Sequence, residues 1–357
     1  MIKKPVKTAV VILNWNGLSL LKQWLGTVVA HSLNGATDVE VVLADNGSTD
    51  SSLEYVRTAF PDTVRCLDLK HNHGFAQGYN LALAEVNAEY VVLLNSDVEV
   101  TPGWLDPLIA YLDTHPEVAG CQPKIRSLRQ RETFEHAGAA GGYIDWLGYP
   151  FCRGRIMNDV EVDTGQYETV EEVFWATGAC LCIRLDAFRE VGGLDARFFA
   201  HMEEIDLCWR LWQRGFHLVC VPQSTVYHLG GATLHKSNPR KTFLNFRNNL
   251  LMIYKNRSTD SLWAVLLIRG VMDYLSACVF LLTGKTGDAL AVFKARWAFW
   301  RLRKQFKTQR QENLRLAKRR EIPGLYKGSL VLGYYVCGKR RFTDFFPVKA
   351  QREERLP

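Results

Sequence analysis

The chain has 357 residues, 47% hydrophobic and 23% charged, which excludes a disordered tail or a mini-protein and allows one large domain with an appendage, or two domains. Its net charge of +7 hides an asymmetry: residues 246–357 hold 23 Lys and Arg against 8 Asp and Glu, and residues 1–245 hold 21 against 29, so the two parts meet different surroundings. Nine cysteines without C-x-x-C spacing, several inside apolar runs such as "CLCI", point to buried free thiols in a reducing compartment and away from zinc.

The N-terminal "MIKKPVKTAVVILNWNG" has basic residues and then an apolar run that breaks at Asn14, which reads as a first strand and not as a signal peptide. "AVVILNWNG" and "VEVVLADNGSTD" are β-branched runs that end abruptly in polar residues, with a helix-like "LSLLKQWLGTVVAHSL" between them. That rhythm predicts a βαβ unit on a parallel sheet buried on both faces. The rhythm continues with "VRCLDLKHNHGF" as strand and loop, "AQGYNLALAEV" as helix and "YVVLLNSD" as strand. Three polar clusters, 14–17, 45–50 and 95–97, therefore fall at carboxyl ends of strands, the edge where open α/β sheets bind ligands. Next, "TPGWLDPLIAYL" reads as a helix with Thr101 as N-cap and Pro102 at N1. The Gly-rich and acidic stretch 121–172 suits long functional loops, "VFWATGACLCIRLDAFREVGG" a strand and helix, and "EEIDLCWRLWQRGF" an amphipathic helix stopped by Gly215.

Beyond residue 245 the composition changes. "LWAVLLIRGVMDYLSACVFLLTG" is long enough to cross a bilayer, but Arg269 and Asp273 interrupt it four residues apart, where one helix face can pair them. The following "ALAVFKARWAFWRLRKQFK" interleaves Trp and Phe with Lys and Arg, which suits an anionic membrane surface. No nucleic-acid-binding motif accompanies it. The competing reading of 262–283 is a buried helix that closes the domain, or part of a homodimer interface.

Asp97 follows a buried strand, where a carboxylate can stay ionised and hold a hard divalent cation together with diphosphate oxygens; "NSD" also makes an ordinary turn. Asp45 occupies the same edge one unit earlier, with an Asx-turn as its plain alternative. In "HMEEIDLCWR" the helix dipole and an Asp206–Arg210 pair account for part of the acid cluster. Glu203 and Glu204, beside the aromatic "RFFAHM", have the raised basicity of a buried carboxylate and suit a general base.

These residues resemble an inverting family-2 glycosyltransferase of GT-A fold, in its rhamnosyltransferase-like branch. The resemblance covers residues 8 to about 250 and rests on "VVILNWNG", "VVLADNGSTD", "NHGFAQGYN", "LLNSDVEV", "WATGACLCIRLDAF", "VGGLDARFFAHMEEIDLCWR" and "VYHLGG", in the family's order. It implies an α/β, Rossmann-like, mostly parallel sheet flanked by helices over 1–245; the composition beyond it reads as a helical, basic, membrane-associating extension over 246–357. It also implies that Asn14, Asn16 and Asp45 meet the donor nucleotide, with Asn72, Gly74, Phe75 and Asn80 near base and ribose and Asn95 and Ser96 beside them. Asp97 matches the last acid of the DXD motif, which holds Mg2+ or Mn2+, and His228 a histidine that approaches metal or diphosphate. Asn95 replaces the motif's first acid, which leaves fewer charged ligands. Trp175, Thr177, Gly178 and Ala179 match the acceptor side. Glu204 matches the usual base, with Glu203 and Asp206 in reserve. Arg247 and Asn248 match a further motif that helix packing explains equally well.

The implied reaction moves a sugar, rhamnose or another hexose, from a dTDP- or UDP-linked donor to a hydroxyl of a saccharide or lipid-linked saccharide. The expected setting is the cytoplasmic face of the membrane, in cell-surface polysaccharide assembly. A non-catalytic nucleotide-sugar-binding or scaffold subunit is the alternative, against which the retained acids argue, since a binder needs no base. A nucleotidyltransferase would call for a basic Gly-rich loop after the first strand, and "NWNGLSLLKQ" is a poor one.

Overall fold

The computed structural model describes residues 5–34, 38–135, 137–230, 238–319 and 321–347. His136, Gly231, the first four residues and the last ten, which belong to stretches read above, lie outside the described residues. The strands are β1 Val6–Asn14, β2 Val39–Asp45, β3 Val64–Asp68, β4 Ala88–Asn95, β5 Val98–Val100, β6 Val118–Ser127, β7 Gly142–Asp145, β8 Pro150–Cys152, β9 Arg155–Ile156, β10 Asp159–Val160, β11 Glu171–Glu172, β12 Cys180–Arg184, β13 His217–His228 and β14 Leu325–Tyr326. The α-helices are α1 Leu18–Leu33, α2 Ser52–Ala59, α3 Gly74–Ala84, α4 Asp106–Thr114, α5 Leu185–Glu190, α6 Glu203–Arg214, α7 Pro239–Asn256, α8 Thr259–Leu282, α9 Thr286–Leu302, α10 Lys307–Arg315, α11 Leu330–Tyr335 and α12 Phe342–Phe345.

The main sheet runs β11-β13-β6-β12-β4-β1-β2-β3, with β5 beside β13. Strands β4, β1, β2 and β3 are parallel, as the alternating rhythm predicts, whereas β12 is antiparallel to both β4 and β6. Ala9 to Ile12, Val41 to Ala44 and Val91 to Leu94 are at most 2% exposed, and each Val, Leu or Ile among them contributes about 1.5–3 kcal/mol by leaving water. In register, Asn14 is opposite Asp45, Leu13 opposite Asn95, and Asp45 opposite Asp68, so the polar strand ends form one level edge.

Several expectations are corrected. The helix after Asp97 starts at Asp106, with Pro107 in its first turn; Thr101 instead bonds the Thr225 carbonyl at 2.7 Å, because β5 intervenes and pairs with β13. The glycine-rich stretch is not all loop: β7 to β10 form a small sheet completed by β14 from the C-terminal region. α6 is the expected amphipathic helix stopped by Gly215, but its polar side is covered as well, since Arg210, Gln213 and Arg214 are buried along with its apolar side. Among the cysteines, Cys278 and Cys337 are exposed and Cys66 is half-buried, while the other six are buried.

A boundary at 245/246 falls inside α7, whose start is set by Pro239 and by the Asn238 side chain accepting from Arg240 N at 2.9 Å. Leu250 to Ile253, Leu262, Val265, Phe299, Phe306, Leu330, Phe342 and Phe345 share one core with α3, α6 and β12. The rings of Phe342, Phe345 and Phe346 pack around Phe151 at centroid distances of 6.0–6.4 Å, which fastens the C-terminal region to the small sheet.

Candidate active site

At the end of β2 the Asp45 carboxylate accepts from Asn14 Nδ2 at 3.1 Å and from Ser48 Oγ at 2.6 Å and N at 2.9 Å. The turn reading of "DNGSTD" is thus present, and it holds Asn14 against the strand end. Asn14 Oδ1 is buried without a protein partner. It points toward Gly17, where a Cβ would come within 2.3 Å of it and 3.7 Å of Ser96 Oγ. Asn16, at φ 52°, accepts from Thr49 N at 2.7 Å and closes the same loop.

Sequence reasoning missed Asn46, which binds the Gly74 carbonyl (3.1 Å) and the Asn72 side chain (3.3 Å) and accepts from His73 N (3.0 Å). Its only sequence signal was its place after Asp45. Gly74 has φ +77°, and a Cβ there would lie 2.5 Å from the Phe199 ring, so glycine is required. Phe75 is brought to the site, with its N–H donating to Phe199 O at 2.7 Å. Asn80 is not, because its amide is spent on both sides of the Leu194 peptide at 2.7 and 3.0 Å.

On the opposite wall, Trp175 and Thr177 are buried in the scaffold: the Trp175 indole donates to Tyr143 O at 2.8 Å, and Thr177 N donates to Gln122 Oε1 at 2.9 Å. They hold Gly178 and Ala179, whose carbonyl accepts from Asn95 N at 3.0 Å. A Cβ on Gly178 would lie 3.1 Å from Phe75 Cζ and 3.8 Å from Glu204 Cβ. The ring expected on the donor side, the glycine expected on the acceptor side and the expected base therefore lie together.

Glu203 and Glu204 open α6 after a run in which Phe199, His201 and Met202 all have positive φ, 66° to 73°. Such backbone in non-glycine residues is costly and marks sites whose surroundings impose it. The clamp is α7: Asn248 Nδ2 donates to the carbonyls of Phe198, Ala200 and His201 at 2.8–2.9 Å, and Arg247 to Phe198 O at 3.1 Å. These two motif residues brace the loop that aims the acids. One oxygen on each of Glu203 and Glu204 is buried without a partner. Burial, then the charge of Glu204, holds Glu203 well above the usual carboxyl range; burial raises Glu204 also, against opposing backbone N–H groups. Burial and then Lys241 push His201 down to about 4, so it is neutral near pH 7. Asp206 departs from its reserve role, because Arg210 (2.9 Å), Lys255 (2.8 Å) and Asn256 (2.7 Å) occupy both its oxygens.

Asp97 sits in the β4–β5 turn, with Oδ1 3.1 Å from His228 Nε2. Glu135, which no motif flagged, places Oε2 3.3 Å from His228 Nδ1 on the far side of the ring. Burial lowers the imidazole's basicity, but Asp97 and Glu135 outweigh it and raise His228 to about 10. Among the described residues no group of three His, Cys, Asp or Glu side chains surrounds a common metal position. A carboxylate and a carboxylate-backed imidazole nevertheless fit a divalent cation that takes its other ligands from a diphosphate and water, with loss of the imidazole proton on binding.

The polar strand-end edge with Asn14 and Asp45, the Asp97–His228 pair, and Glu203 and Glu204, each with one buried partnerless oxygen, are thus the polar groups that this Rossmann-like sheet and its helices bring to the candidate site. Residues 9–190 match the model of "Glycosyl transferase family 2", and the chain belongs to that family. It is 32% identical over 218 residues, 55% of this chain and 69% of the other, to the N-acetylglucosaminyl-diphospho-decaprenol L-rhamnosyltransferase of Mycobacterium tuberculosis. It is 30% identical over 192 residues to O-antigen biosynthesis protein RfbC of Myxococcus xanthus, covering 53% of this chain but 15% of that one. Among solved structures, GalNAc-T7 with UDP, GalNAc and Mn2+ superposes with TM-score 0.55 at 20% identity, over 71% of this chain and 48% of that one. TarS 1-349 of S. aureus with UDP-GlcNAc gives TM-score 0.55 at 16% identity, over 87% and 89%. The fold is GT-A, the enzyme is a glycosyltransferase, and its relatives are rhamnosyltransferase-like.

Proposed function

We propose that this glycosyltransferase inverts the anomeric centre of a dTDP- or UDP-linked sugar, rhamnose or a related hexose, and transfers it to a hydroxyl of a lipid-linked saccharide at the cytoplasmic face of a membrane. The observation that carries the reading is Glu204: a half-buried residue whose carboxyl has a raised pKa and one buried, partnerless oxygen, next to Gly178, where a Cβ would lie 3.8 Å from Glu204 Cβ and 3.1 Å from the Phe75 ring. The name of the mycobacterial relative supports rhamnose and a lipid-linked acceptor.

Glu204 takes the acceptor hydroxyl's proton as that oxygen attacks, and a single displacement inverts the centre. Phe75 and the Asn14 amide bind the nucleoside end, and the braced 198–202 loop keeps the base in line. A divalent cation held by Asp97 and His228 would neutralise charge on the departing diphosphate. In the test, Glu204→Gln abolishes transfer while donor binding by calorimetry persists; near-normal turnover removes Glu204 from the mechanism.

A further inference from the structure

Helix α8 is long and apolar enough to cross a membrane, yet only 28% of its most apolar stretch is buried. Its two internal charges lie on the covered face. Arg269 donates to Leu147 O at 3.1 Å and to the Asn249 side chain, and pairs with Asp273 at 3.3 Å; Asp273 also binds Arg296 of α9 at 2.6 Å. A crossing helix would have to give up the Asp273–Arg296 pair and the bonds of Arg269 to Leu147 and Asn249, and carry both charges into the bilayer.

The other face carries no charge from Ser261 to Gly284, and on it Leu267, Val271, Leu275, Val279 and Leu282 are 56–88% exposed. Helix α9 continues it with Leu290, Phe293, Trp297 and Trp300, and a groove of about 440 Å³ runs between the two helices past Trp263, Tyr274 and Trp300. A contiguous apolar surface of this size marks a docking face. Its margin is basic: Lys285, Lys294, Arg301, Lys304 and Lys307 are exposed, against Asp260 at the start of α8. Arg301 stacks on Trp297 at 4.5 Å and Arg303 on Trp300 at 4.6 Å, the pairing of amphipathic rings and cations suited to a headgroup layer.

We propose that the exposed faces of α8 and α9 seat together in one leaflet of an anionic bilayer, with both helices in the membrane plane and the Arg269–Asp273–Arg296 network fastening them to the catalytic core. The basic margin selects lipid over a second copy, whose margin would bring like charges together. This rests on the transferase reading only for the lipid-linked acceptor. Vesicle binding needs neither donor nor acceptor, so either can fail alone.

The test floats the full chain on density gradients with vesicles of phosphatidylcholine, alone or mixed with phosphatidylglycerol. The chain should float with the mixed vesicles, and brominated acyl chains should quench its tryptophan emission. The Val271→Glu/Leu275→Glu variant should lose about tenfold or more of its vesicle partitioning, with its melting midpoint and UDP binding unchanged. Any of four results overturns the proposal. They are failure of the unmodified chain to float, absence of quenching, complete release by high salt, and protection of α8 from protease on both sides of the vesicle. A dimer that the variant dissolves, without vesicle binding, assigns the face to a second copy instead.

Discussion

Glu203 and Glu204 are neighbours with different prospects. Both are held protonated more readily than an ordinary carboxyl, because burial disfavours the anion and few N–H groups reach it. For Glu204 this places the acid limb of the transfer rate above the usual carboxyl range: kcat should fall as pH drops through the raised pKa, and a pH–rate profile checks it. Glu203, 4% exposed, is held by burial and then by the charge of Glu204 well above the ordinary carboxyl range. A carboxyl so shifted costs nothing as the acid and destabilises as the anion, so the penalty grows as pH rises from the unfolded value through the folded one. Glu203→Gln should therefore raise the melting midpoint at pH 8 by about 2–4 °C, and the gain should vanish near pH 4.5; a gain independent of pH contradicts the assignment. At the other end of the site, Asp97→Ala should reduce UDP binding in Mn2+ to the level seen with EDTA. Glu135→Gln, which removes the support behind His228, should weaken metal-dependent binding about tenfold by calorimetry.

At the scale of elements, α7 does for the acids what no local propensity could. Phe199, His201 and Met202 hold left-handed backbone because Asn248 spends its amide on three carbonyls of that loop. Asn248→Ala removes the bonds to three carbonyls and the one its Oδ1 accepts from Arg247 Nε at 2.8 Å, and should cost about 2–3 kcal/mol of stability, with kcat falling more than donor affinity. Asn248→Asp, equal in size but without N–H donors, should do the same; a mild Asp variant would mean that volume and not donation matters. The sequence motif marks Arg247 and Asn248 but leaves helix packing as good an explanation, because their targets lie 47 to 50 residues upstream. Trp175, Thr177 and Asn80 illustrate the reverse: motif membership singled them out, and the structure spends their polar groups on the scaffold.

At the scale of the whole molecule, the sheet and the C-terminal helices share one core. Lys255 on α7 pairs with Asp195 and Asp206 at 2.8 Å, and Phe306 and Phe342 pack with catalytic-domain side chains. A chain ending at Asn245 loses most of α7 and should aggregate without a cooperative thermal transition by circular dichroism. Independent folding of that fragment with normal UDP binding would restore the two-domain division.

The polar strand ends were legible because strand periodicity places them: a β-branched run that stops in Asn, Ser and Asp puts those groups at a sheet edge whatever the fold's details. Hence Asn14, Asp45 and Asp97 could be named from sequence. Glu135 behind His228, Asn46 under Gly74 and the buried side of Arg269 could not, because each depends on a partner far along the chain. The charge pair in α8 shows the division most clearly. Sequence spacing put Arg269 and Asp273 on one helix face, and only packing decided that this face lies against the protein and leaves the apolar one outside.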